Sequence, residues 1–174
     1  MLQRRFAIWQ LPLYLATLLP LPAVADHPPE GTKTIFRDPF VYKLVGDWKL
    51  TCKIRGKEVQ DTLHAEWVLN HQFLQLNMKD MAEPPQYEAI VLIGYQHANK
   101  QYVAHWLDVW GGKFSAMVHG KRVGDTIEIE FHYPDGPFYN TFAWNVSEQS
   151  WTFTMEGVKD GKRVPFAVNT LLRN

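Results

Sequence analysis

Gly46-Asp47-Trp48-Lys49-Leu50-Thr51-Cys52-Lys53-Ile54-Arg55 is the stretch on which the fold turns. Trp48, Leu50, Cys52 and Ile54 fall on one face of an extended chain; Lys49, Thr51, Lys53 and Arg55 fall on the other. Strict period-2 alternation is the pattern of a strand with one face in a core and one in water. Gly56-Lys57 then turns the chain. The same alternation returns far downstream. Ile127, Ile129 and Phe131 alternate with Glu128, Glu130 and His132, and Trp151, Phe153 and Met155 alternate with Thr152, Thr154 and Glu156.

Working outward, further strands are expected at about 60–69, 71–79, 86–95, 100–110, 113–119, 123–133, 137–146, 150–157 and 163–172. Turn residues separate them: His97-Ala98-Asn99-Lys100, Gly111-Gly112, Gly120, Pro134-Asp135-Gly136-Pro137, Ser147-Glu148 and Asp160-Gly161. About ten short strands with no helical period between them predict an all-β barrel or sandwich. Asp38-Pro39 reads as a helix start, with Asp as N-cap and Pro in the first turn. A short N-terminal helix of one or two turns is therefore expected over residues 40–45, leading into Gly46.

Residues 1–25 do not belong to that domain. Arg4 and Arg5 precede an apolar run from Phe6 to Leu21, and Ala23-Val24-Ala25 supplies a small-x-small cleavage pattern. This is the layout of a signal peptide. Pro12, Pro20 and Pro22 interrupt the run, leaving it short of the roughly 20 apolar residues of a spanning helix. A periplasmic or secreted product with no stable membrane insertion after cleavage is expected. Residues 26–38 read as an extended, Pro-rich leader, and residues 39–174 as the barrel domain. Without Arg4 and Arg5 the balance is 16 Lys+Arg against 18 Asp+Glu, about −2, which excludes the basic footprint of a nucleic-acid binder. The single cysteine, Cys52, forbids an internal disulfide, which suits a periplasmic protein better than a small extracellular domain.

Catalytic and metal-binding patterns are sparse. The seven histidines, at 27, 64, 71, 97, 105, 119 and 132, show neither the i, i+4 nor the i, i+2 spacing of familiar metal sites. No metal and no cofactor is expected. The serines, Ser115, Ser147 and Ser150, lie in no Gly-x-Ser-x-Gly elbow. Cys52 lies on an apolar strand face, where a thiol is inert. Asp108 shares a strand face with Tyr102, Ala104, Trp106 and Trp110. Facing inward it would orient a ligand or act as an acid or base; facing outward it would be a solvated strand-end residue.

Gly46-Asp47-Trp48 preceded by Leu44, Ile93-Gly94-Tyr95, Trp106-Leu107-Asp108 and a closing Leu171-Leu172-Arg173, in that order, resemble a bacterial lipocalin-like family of unknown function. The resemblance covers residues 40–174. It implies an exported calycin-type, up-and-down antiparallel barrel. Tyr95 departs from that family's pattern, being followed by Gln96-His97 where an Asp is common. The resemblance also implies structural roles for Gly46, Trp48 and Arg173, with the arginine packed across the indole as a cation–π pair worth ~1–2 kcal/mol.

Barrels of this size leave room for one small ligand unless side chains fill them. Parity and resemblance together nominate Tyr87, Tyr95, Trp106, Asp108, Phe131, Phe142 and Trp144 as the lining of a site for a small apolar or amphipathic molecule. Two other readings stand beside it. One is an isomerase or hydrolase using an interior Asp and His. The other is a filled barrel that binds a partner, or forms a homodimer, through the strands near 86–110, which are apolar on both faces.

Overall fold

The computed structural model describes residues 34–174 apart from 55 and 56. The expected signal peptide and residues 26–33 of the expected leader lie outside the described residues. Ten strands follow one another: β1 (Gly46–Ile54), β2 (Lys57–Val68), β3 (Phe73–Asp80), β4 (Glu88–Gln96), β5 (Gln101–Asp108), β6 (Ala116–Val123), β7 (Thr126–Tyr133), β8 (Gly136–Asn145), β9 (Ser150–Lys159) and β10 (Lys162–Arg173). Each pairs antiparallel with its neighbours in sequence, and β1 closes the ring on β10. The result is the expected all-β, up-and-down barrel. Closure pairs every strand on both sides and so removes the edges an open sheet would expose.

Alternation puts Trp48, Leu50 and Cys52 of β1 inside, in register with Leu63, Asp61 and Val59 of β2. The fully buried rings and aliphatic chains, among them Leu74, Leu76, Val91 and Ile93, form one continuous core. Burying each such side chain contributes roughly 1.5–3 kcal/mol.

Where the sequence predicts a short N-terminal helix, the chain makes only a four-residue 3-10 turn, Val41–Leu44. Asp38 Oδ1 accepts the Phe40 N–H just ahead of it, at 2.8 Å. The predicted turn at Gly120 is corrected as well. Gly120 lies inside β6 and faces the core, and the chain reverses instead after Val123. A Cβ on Gly120 would sit 2.9 Å from the Glu128 carbonyl oxygen and 3.1 Å from the Ile129 side chain. This glycine is there to let β6 and β7 pack closely beneath Tyr102.

The two barrel ends differ. At one end lie the 3-10 turn, Gly46, the turns at 69–72, 97–100, 124–125 and 146–149, and Asn174. At the other lie the connections 81–87, 109–115, 134–135 and 160–161.

Candidate functional site

The first end is sealed by the N-terminal segment. Trp48 Nε1–H donates to the Leu44 carbonyl at 2.7 Å, and Trp151 Nε1–H donates to the Lys43 carbonyl at 3.4 Å. Arg173 crosses the Trp48 ring, 4.4 Å from its centroid, and donates to the Val45 and Lys43 carbonyls at 3.0 and 3.2 Å. Phe36 stacks on Tyr95 and meets Trp67 and Tyr102 edge-on. Tyr102 donates its hydroxyl to Asp38, which Arg122 also reaches at 3.3 Å while covering the Phe40 ring. A ligand entering at this end would have to displace these contacts of the chain's own segment.

Mid-barrel, Trp106 of β5 reaches Phe153 of β9, four strands away around the ring, and also contacts Phe131. Phe142 stacks on Phe153 with centroids 4.3 Å apart. These four rings make a floor across the lumen. Toward the second end the inward side chains become half-buried in strand after strand: Val59, Asp61, Tyr87, Asp108, Tyr133, Phe138 and Met155. This less buried, aromatic-lined end, between the connections at 81–87, 109–115, 134–135 and 160–161, is here called the bowl.

Polar groups collect in this bowl. Asp61 points inward on β2, and its Oδ1 is buried with no hydrogen-bond partner. Burial, and then the charge of Asp80, hold its carboxyl above the ordinary carboxylate range. Asn140 of β8 is only 3% exposed, and its Oδ1 also lacks a partner. Tyr87 accepts from Trp106 Nε1–H at 3.3 Å. Burial pushes the Tyr87 hydroxyl to about 12, and the charges of Asp108 and Asp61 act in the same direction. Cys52 is raised to about 11 by burial and by Asp61, which makes it an inert thiol at neutral pH. Asp80, by contrast, is saturated. It accepts the N–H groups of Ala82, Gln86 and Tyr87 and thereby shapes the 81–87 loop.

Among known families, one described as a protein of unknown function, DUF1579, matches residues 39–169. The chain belongs to the DUF1579 family. No curated protein matches it. The matched span holds the floor, the bowl and the 3-10 turn, and ends before Arg173.

In this DUF1579 protein the seven nominated side chains do not form one group. Trp106, Phe131 and Phe142 form the floor, and Tyr87 and Asp108 stand above it. Tyr95 belongs to the sealed end beside Phe36, and Trp144 packs on Trp151 at the same end. Asp108 has inward parity at the mouth end of β5, where its Oδ1 accepts the Trp110 N–H at 2.9 Å. Trp110 itself is exposed on the adjoining loop.

Sequence reasoning missed Asp61 and Asn140. Their signal was parity alone: Asp61 is two residues from Leu63, and Asn140 is two residues from Phe142. The described histidines are scattered. His64 bonds Asp47 and His105 bonds Ser115, while His119 and His132 line a groove on the outer wall with Glu128 and Glu130. Among the described residues no three His, Cys, Asp or Glu side chains are placed to hold a metal ion. Among the described residues, no hydrogen bond in the bowl joins two titratable side chains.

Proposed function

We propose that this DUF1579 protein binds a small amphipathic molecule in the bowl at the open end of its barrel. The supporting observation is the contrast between the ends. One is locked by Phe36, Trp48, Trp151 and Arg173, whereas the other presents half-buried Tyr87, Tyr133, Phe138 and Met155 above a ring floor. Small-molecule sites are mostly apolar concavities with a few placed polar groups, and this one offers Asp61, Asn140 and the Tyr87 hydroxyl. The lipocalin-like resemblance and the signal-peptide pattern support reading it as an exported carrier, periplasmic or secreted.

The test is to denature the purified protein, extract it and identify co-purifying small molecules by mass spectrometry. Those found are then titrated back. Trp106→Ala removes the floor and should weaken binding at least ~10-fold, with the fold checked by circular dichroism. Unchanged affinity in a folded Trp106→Ala variant would remove the bowl as the site.

A partner-binding reading draws on the outer wall. Ile90 and Leu107 are cross-strand neighbours, 44% and 37% exposed, and Met117 nearby is 69% exposed. Homodimerisation through that face would give a dimer mass in light scattering that Leu107→Glu abolishes.

A further inference from the structure

Asp61 and Asn140 share one tier of the lumen. Each lies one inward step nearer the mouth than a fully buried residue, Leu63 and Phe142 respectively. Each lies one step deeper than a half-buried one, Val59 and Phe138. β2 and β8 stand four strands apart around the ring, so the two side chains approach the lumen from different walls. Both Oδ1 atoms are buried acceptors without a donor. A buried polar group left unpaired is costly, and a buried charge more so.

The buried and half-buried charges facing this space are the acids Asp61, Asp80 and Asp108, while Lys57, Lys159 and Lys162, of the same inward parity, stand exposed at its rim. Asp80 is saturated by three backbone N–H groups, and Asp108 accepts from Trp110. Among the described residues no Lys, Arg or His forms an ion pair with any of the three, and Lys113 on the 109–115 connection lies over the Phe114 ring.

We propose that the bowl selects an amphipathic organic ammonium. Its cationic N–H donates to Asp61, a second N–H or O–H donates to Asn140, and its apolar body rests on Trp106. This rests on the reading of the bowl as a small-molecule site and adds the chemical class. A neutral ligand would leave the Asp61 charge desolvated, and a carboxylate would meet three like charges.

Three probes of one skeleton separate the possibilities: 4-(2-aminoethyl)phenol, 4-(2-hydroxyethyl)phenol and 4-hydroxyphenylacetate. They share the ring and the phenolic donor and differ only in the end group. Calorimetric titration into the full chain should rank the ammonium tightest, by roughly 10–100-fold over the alcohol, as a charge-assisted hydrogen bond would give. Asp61→Asn, or Asp61→Ser if the amide fails to fold, should erase that preference. Asn140→Leu should weaken all three. Equal or tighter binding of the alcohol or carboxylate overturns the ammonium assignment but leaves the bowl as a binding site. A preference that survives Asp61→Asn also overturns it. Failure of all three to bind at millimolar concentration overturns this assignment, whereas the extraction experiment judges the bowl itself.

Discussion

Gly46 and Arg173 are fitted to one another. Gly46 has φ of +118°, a conformation side chains rarely adopt, and a Cβ there would sit 2.7 Å from the Arg173 guanidinium. That guanidinium stacks on Trp48 and satisfies two carbonyls of the 3-10 turn region. Arg173→Ala should therefore cost about 2 kcal/mol, combining a lost cation–π contact with two lost charge-assisted hydrogen bonds. Urea denaturation of the variant checks this. Asp61 works in the opposite sense. Its folded carboxyl titrates above the unfolded one, so the native state holds the proton more tightly. Stability then falls as pH rises from the unfolded value through the raised folded value, and stays lower above it. Asp61→Asn should melt above wild type at pH 7, a gain of ~1 kcal/mol reading as about 2–4 °C. The gap should close as pH falls toward about 4. A scan of melting temperature against pH for both proteins decides it. The roles of Gly46 and Arg173 were legible because a family pattern carried them. Asp61 was not, because Val59 is the single apolar residue of 57–62 and alternation there gives too weak a hydrophobic signal.

At the level of elements, the outer wall is clasped across four strands. Arg163 of β10 bonds Glu128 of β7 at 2.7 Å, approaches Glu156 of β9 at 3.7 Å and lies 3.6 Å from the centroid of Tyr139 of β8. The Arg163 hydrogen bond holds the Glu128 carboxyl below its ordinary range. This contribution is present above the ordinary glutamate range and is lost as pH falls through the lowered folded value. Arg163→Ala should cost roughly 0.5–1 kcal/mol at neutral pH, and less at high salt or about pH 3. Comparing urea midpoints under those conditions checks it. The strands themselves were readable wherever parity was strict, in β1, β7 and β9. The errors fell where a residue answered to a distant neighbour. Gly120 resembles a turn glycine, yet its smallness serves β7. Phe36 reads as part of a polar leader, yet its ring fills the end of the barrel beside Tyr95 and Trp67. Neither contact is local, so no window of sequence contains its cause.

For the molecule as a whole, closure of the ring and the up-and-down order followed from strand number, turn chemistry and resemblance. Which end is sealed did not, because that is decided by where the segment before Gly46 folds back. Nor did the level of the floor, which depends on Trp106 spanning the lumen to Phe153. The same arrangement places both ends of the described chain at one pole. Phe36 N–H bonds the His71 carbonyl in the β2–β3 turn, and Asn174 N–H bonds the Asp47 carbonyl at the start of β1. A linker fused after Asn174, or a bead coupled through it, would therefore grip the barrel by its base and present the opposite rim to the surrounding fluid.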